Sequence, residues 1–465
     1  MTPDKYLNWD TTLSSVVKIL DKNHVELKKF VGEQKIILLR DWKGRIHIGF
    51  PSSREKFSSG DFLELLDQIH IELGPLSPAY TKTAEPPLEK DYLIDGISFF
   101  LEDLFDPSDF WGSPYLVSIN NDSRLPLFLL DRQEKENDWL RAESKPNNLS
   151  TIPRAVFFGI KGGVGRSSAL TALALHLANQ GKRVLIIDAD FESPGVSSSL
   201  LSQTARPDFG LVDWFAAESL GCDGLEELAE QRIAETSPLS ERTNGKIIIA
   251  PSHGLKTEAY VGKLGRIYRT TEEGTGFAER LNRIVDLLEQ VHSADVTLFD
   301  SRAGIDDTAA AAISQLAARV SFLFAVNTQQ TWDAYALLFK HLQRHPTART
   351  ENDFRFKLRF ISALTPEEVG STKGYFADFR EAAYTTCAEN LYDKDSSEIS
   401  LDTSKNLNLF NPAFDDEDTP HYPSRIVWDE VLRAFDPIKE PGQLATAVIA
   451  KSFGDFLDRA AKLLE

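Results

Sequence analysis

The residues best equipped for chemistry stand together in Lys161-Gly-Gly-Val-Gly-Arg-Ser-Ser168, which follows the apolar run Val156-Phe-Phe-Gly159. A phosphate group needs several donors around it with no side chain in the way. Gly162, Gly163 and Gly165 lack a Cβ and let consecutive backbone N–H groups point inward. A helix beginning near Ser167 adds its partial positive charge to the same place. Ser167 brings a hydroxyl suited to a Mg²⁺ ion carried by the phosphates. A glycine-rich turn by itself says little, but strand, glycines, cation, hydroxyl and amphipathic helix in this order describe a polyphosphate cradle.

Positioning such a cradle takes a particular scaffold. From residue 154 onward the chain alternates between short apolar runs and helical patterns. Strands are expected at 155–159, 183–188, 246–250, 296–300, 320–326 and 356–361, with helices at 167–180 and 277–291 among others. Several of the runs are apolar throughout, as strands covered on both faces require. The expectation is an α/β domain with a doubly wound, mainly parallel sheet. Asp188 and Asp300 each close one of these strands, and the glycine loop closes another. Open α/β sheets bind ligands along that edge, so the three should converge on one site.

Lys161-Gly-Gly-Val-Gly-Arg-Ser167 resembles the deviant Walker A motif of the ParA/MinD group of P-loop ATPases, whose usual form is Lys-Gly-Gly-x-Gly-Lys-Ser/Thr. The resemblance covers roughly residues 152–370 and implies a P-loop NTPase fold that binds ATP and Mg²⁺. It implies that Gly162, Gly163, Val164, Gly165, Arg166, Ser167 and Ser168 wrap the phosphates, and that Lys161 reaches across a nucleotide-sandwich homodimer to the partner's phosphates. Arg166 stands at the standard lysine position, where a bulkier and differently aimed cation predicts slow hydrolysis. Asp188-Ala-Asp190-Phe-Glu192 matches the family's first switch loop, with Asp190 corresponding to the residue that positions the attacking water and Asp188 to a carboxylate near the metal. Glu192 lies outside the family pattern and receives no role. Val296-Thr-Leu-Phe-Asp300 has the Walker B form, so Ser167, Asp188 and Asp300 are the expected metal-site residues, and the Gly304 N–H is expected near the γ-phosphate. Arg302 replaces the family's usual proline and is expected to face solvent.

The sequence narrows the function further. The chain has 465 residues, 51 basic against 70 acidic side chains and a formal net charge of −19, which disfavours direct binding to nucleic acid or to anionic membranes. Cys222 and Cys387 are too far apart in sequence to form a Cys-x-x-Cys pair, and a reducing cytoplasm is expected. No uninterrupted apolar run approaches about 18 residues, and the start lacks the charge-then-apolar pattern of an export signal. The final helix carries Asp455 and Asp458 among its charges, and packing on the sheet is expected of it rather than membrane attachment.

Residues 1–145 read as a small α+β accessory module: strands near 35–40 and 45–50, a helix around Phe62 to Ile69 and a strand at 124–130. No catalytic grouping stands in it, and His47 and His70 read as ordinary strand and helix residues. A linker is expected at 146–153, the ATPase-like domain at 154–465, and a solvated acidic insertion at about 371–424. The function expected from all this is an ATP-hydrolysing switch that dimerises over its nucleotides and engages a protein partner through the N-terminal module. The alternative is a scaffold that senses ATP with little or no turnover.

Overall fold

The computed structural model describes residues 9–40, 46–50, 59–73, 93–94, 98–100, 116–118, 124–131, 139, 152–256, 259–268, 275–343, 345, 347–348, 353–367, 374–393 and 409–465. Two compact units divide the chain, Met1–Asn137 and Asp138–Glu465. The expected linker lies almost wholly outside the described residues.

In the first unit, strands β1 (Ile36–Arg40), β2 (Ile46–Phe50), β3 (Leu93–Ile94), β4 (Ser98–Phe100), β5 (Leu116–Ser118) and β6 (Leu127–Asp131) line up in the order β3-β4-β2-β1-β6-β5. The strands expected near 35–40 and 45–50 are present as β1 and β2, which pair antiparallel with Leu38 opposite Ile48. Helices Trp9–Lys22, His24–Val31 and Gly60–Leu73 supply Leu20, Leu27, Phe62 and Leu66 to a core shared with Leu38 and Ile48. His47 is a buried residue of β2, while the side chain of His70 lies outside the described residues.

The second unit is built on β7 (Arg154–Gly159), β8 (Arg183–Asp188), β9 (Glu235–Thr236), β10 (Lys246–Ala250), β11 (Val296–Ala303), β12 (Val320–Ala325), β13 (Leu358–Thr365) and β14 (Ser424–Val427). Their order is β14-β13-β12-β7-β11-β8-β10-β9, parallel throughout except for the short β9. Every residue of β7 and β12 is buried, because helices cover both faces. One face packs on helices Arg166–Asn179 and Thr446–Leu464, the other on Leu211–Ser219, Phe277–His292, Asp307–Ser314, Gln329–Leu342 and Tyr375–Asn390. The last helix does pack on the sheet: Phe456 lies 5.3 Å from Phe322 and 6.2 Å from Phe157 between ring centroids. No helix among the described residues is long and apolar enough to cross a membrane.

Two details differ from expectation. Trp139, placed ahead of the expected linker, is buried in the core of the second unit, edge-on to Phe158 at 6.1 Å. The stretch expected as a solvated insertion contains the helix Tyr375–Asn390, whose Phe379, Ala383 and Cys387 recur at four-residue spacing and are buried. Phe379 meets Trp332 at 5.0 Å. A moderate apolar stripe was diluted there by polar neighbours, and the run Asp415 to Asp418 is exposed as expected.

Candidate functional site

The chain runs from β7 to β8, returns through β11 to lie between them, and then crosses to β12 on the far side of β7. Such a reversal opens a crevice at the C-terminal end of β7, and the glycine loop fills that position. Gly163 and Gly165 adopt φ +74° and +81°, the left-handed region that favours glycine. Gly165 caps helix Arg166–Asn179 without any side-chain hydrogen bond, so the N–H groups of the first turn have no side-chain acceptor at the cap. Gly159 is needed for another reason, missed in the sequence. A Cβ there would stand 3.3 Å from the Lys161 carbonyl oxygen and 3.4 Å from the Arg166 Cδ and the Phe324 carbonyl oxygen.

β11 pairs with β8 so that Asp300 stands directly beside Asp188. Side by side on parallel strands, both carboxylates project from one edge and both are fully buried. Ser167 Oγ donates to Asp300 Oδ2 at 2.8 Å, and the Ser197 N–H donates to Asp188 Oδ2 at 3.1 Å. The other oxygen of each, Oδ1, is buried without a hydrogen-bond partner. Burial pushes Asp300 up to about 7, against the pull of Arg166, and burial likewise pushes Asp188 up to about 6.

Arg166 is buried at the start of its helix. Its Nη2 lies 3.3 Å from Asp190 Oδ2, and its Nη1 has no partner. Asp190 Oδ1 accepts from the Ser193 N–H at 3.2 Å and the Ser193 hydroxyl at 2.9 Å. Lys161, half-buried, donates to Gln330 Oε1 at 2.6 Å, a partner that no motif announced. Val164 is buried, Ser168 is half-buried, and Gly162 and Gly163 are exposed.

Two expectations change. The Gly304 N–H donates to the Gly159 carbonyl at 3.0 Å, so in this conformation the sheet engages it and it is not offered to a ligand. Arg302 does not face solvent freely: its Nη1 lies 3.0 Å from Glu192 Oε1, and the pair is half-buried. A charged partner across the loops, invisible to local pattern, holds it there.

The donor set is one hydroxyl and two carboxylates with unpaired oxygens, all hard ligands of the kind Mg²⁺ takes. Among the described residues no group of three or more His, Cys, Asp or Glu side chains is arranged to hold a metal ion. Mg²⁺ is commonly bound through one or two carboxylates together with the phosphates of its ligand rather than in an all-protein cage.

Residues 155–343 match the family described as CobQ/CobB/MinD/ParA nucleotide binding domain. A stretch of 42 residues, 9% of this chain, is 55% identical to the arsenical pump-driving ATPase of Acidiphilium multivorum, where it covers 7% of the length. Over 65 residues the chain is 38% identical to the cytosolic Fe-S cluster assembly factor NUBP2 of Rattus norvegicus, covering 14% of this chain and 24% of that one. The chain thus spans far less than two thirds of either relative. A ParA family ATPase from Chlorobium tepidum TLS superposes with a TM-score of 0.39 at 13% identity, over 66% of this chain and 98% of that one.

Proposed function

We propose that the chain, whose residues 155–343 match the CobQ/CobB/MinD/ParA nucleotide binding domain family, binds ATP with Mg²⁺, hydrolyses it slowly and works as a nucleotide-dependent switch. The observation that carries this reading is a set of unpaired atoms around the glycine loop: Arg166 Nη1, Asp188 Oδ1 and Asp300 Oδ1. A buried polar group without a partner costs roughly 1–3 kcal/mol, more when charged. A donor and two acceptors left unpaired in one crevice suit a ligand that brings both anionic oxygens and a cation.

Each side chain then has a task. The loop N–H groups and Arg166 hold the phosphates, and Ser167, Asp188 and Asp300 hold the metal. A bound Mg²⁺ supplies charge neutralisation and a Lewis-acid pull on phosphoryl oxygens. Asp190 orients the attacking water once Arg166 has turned to the phosphates. Lys161, exchanging Gln330 for a phosphate of a second chain, closes a homodimer over two nucleotides. Since that contact exists only in the closed state, ATP gains a differential affinity for it. The first unit is the part we assign to a protein partner, in a cytoplasmic setting.

A second reading has its own support. The Arg166–Asp190 contact ties up the carboxylate that would orient water, which favours a scaffold that binds ATP without turnover. Calorimetry at millimolar Mg²⁺ should record ATP binding, and sedimentation should show an ATP-dependent dimer. Lys161→Ala is expected to weaken dimerisation at least tenfold, about 1.4 kcal/mol, while changing nucleotide affinity much less. No heat with ATP ends both readings, and binding with dimerisation but no phosphate release leaves the scaffold.

A further inference from the structure

Two residues that depart from the family pattern meet in space. Glu192 has no counterpart in the first switch motif and Arg302 replaces a proline in the second, yet Arg302 Nη1 lies 3.0 Å from Glu192 Oε1. Glu192 comes two residues after Asp190, and Arg302 two residues after Asp300. The pair therefore joins the loops that carry both carboxylates, at the same distance along the chain from each.

The join is anchored from a third side. The Tyr268 hydroxyl donates to the same Glu192 oxygen at 2.8 Å and lies 3.2 Å from Thr308 Oγ1, in the first turn of the helix that follows the second loop. Its ring packs on Phe277 at 4.9 Å between centroids. Tyr260, at the other end of the helix Tyr260–Ile267, donates its hydroxyl to the Phe191 carbonyl at 2.7 Å. One short helix and the residue after it thus hold the first loop through its backbone and through Glu192. Burial and the Glu192 charge keep the Tyr268 phenol well above its usual range, so it remains a donor.

A half-exposed ion pair alone contributes little. A carboxylate oxygen shared between a guanidinium and a half-buried phenol belongs to a network, whose members reinforce one another. We infer that Glu192 and Arg302 are positioning residues that lock the two switch loops into one moving unit, with Tyr268 as the fixed post. Asp190 and Asp300 then keep their spacing when a ligand enters. A proline at 302 has no side chain to make this tie. The consequence for catalysis rests on the ATP reading above, whereas the coupling itself does not.

The test is hydrogen exchange of the full chain without nucleotide, followed over residues 190–195 and 301–305. Glu192→Gln should speed exchange in both segments several-fold, and so should Arg302→Pro. The charge swap, Glu192→Arg with Arg302→Glu, should restore protection in both. Loosening confined to the segment that carries the substitution, or no rescue by the swap, overturns the coupling. With ATP, either single variant should lower kcat about fivefold with KM changed less than about twofold, and the swap should recover it. An unchanged kcat in Glu192→Gln removes the positioning role. If wild type gives no heat with ATP, the functional reading fails while the exchange result still decides the coupling.

Discussion

Arg154 and Arg166 stand at opposite ends of one strand and its loop, both more than nine-tenths buried, and they are treated in opposite ways. Arg154 opens β7. Its Nε and Nη2 bind Glu289 in a fork at 2.8 and 2.7 Å, its Nη1 reaches Asn282 Oδ1 and the Leu316 carbonyl at 3.1 Å each, and Asp286 joins from the side. Glu289 is completed by the Thr297 hydroxyl at 2.7 Å. Arg166 has a single 3.3 Å contact and one idle nitrogen, beside two carboxylates that each keep an idle oxygen. A buried charge that has all its partners serves the fold; one left short of partners holds its position at a cost.

The comparison breaks most visibly at Arg154. Arg154→Ala strands Glu289 in the interior, and loss of one partner of a buried pair typically costs about 3–5 kcal/mol. Urea unfolding should show that loss, while the remaining folded protein should bind ATP as wild type does. A stability change under about 1 kcal/mol would mean that the fork is idle.

At the other end the sign reverses. Asp300→Asn removes a charge that the ligand-free protein holds at a cost, and should stabilise it by about 2 kcal/mol at pH 8 while abolishing the effect of Mg²⁺ on ATP binding. The pH dependence follows from the same groups. Asp188 and Asp300 rise from the ordinary carboxylate value of 3.8 to about 6 and about 7 in the folded chain. Between these limits the folded state holds protons that the unfolded state has released, so the stability they allow is complete below about pH 4 and fades as pH climbs towards 7. Denaturation of ligand-free wild type between pH 5 and 8 should show this decline, and Asp300→Asn should flatten it. A flat wild-type profile would refute the raised values.

The smallest effect is expected from Arg166→Lys. An ammonium loses the fork but keeps the charge, so stability should move by less than about 1 kcal/mol. Phosphate release sharpens the comparison: a several-fold rise identifies the Asp190 contact as a brake, and a collapse shows that the site depends on the guanidinium.

Much of the site was legible because its signals are local. Gly162, Gly163 and Gly165, Ser167 and the strand-end Asp188 and Asp300 each announce themselves by residue type and position in a run. What stayed hidden was partnership across the chain. Gln330 meets Lys161 from 169 residues away, Glu192 meets Arg302, and Tyr268 meets Glu192 from 76 residues away. The Gly304 N–H, assigned to a phosphate by motif, is engaged by Gly159. The helix Tyr375–Asn390 was obscured for a related reason: its buried positions, Phe379, Ala383 and Cys387, gain meaning only against Trp332 on a neighbouring helix.

Taken alone, the order of residues determined the alternation of buried strands and helices and the glycine loop at a strand end, because backbone freedom and apolar periodicity act over a few residues. Strand order and register were decided by the tertiary structure. Inserting β11 between β7 and β8 brings Asp300 beside Asp188, and folding the two loops together lets Glu192 find Arg302. Burial then does what no motif encodes: stripped of water, side chains of the same types become fixed supports where their partners are complete, and stay under-partnered at a cost where they are not.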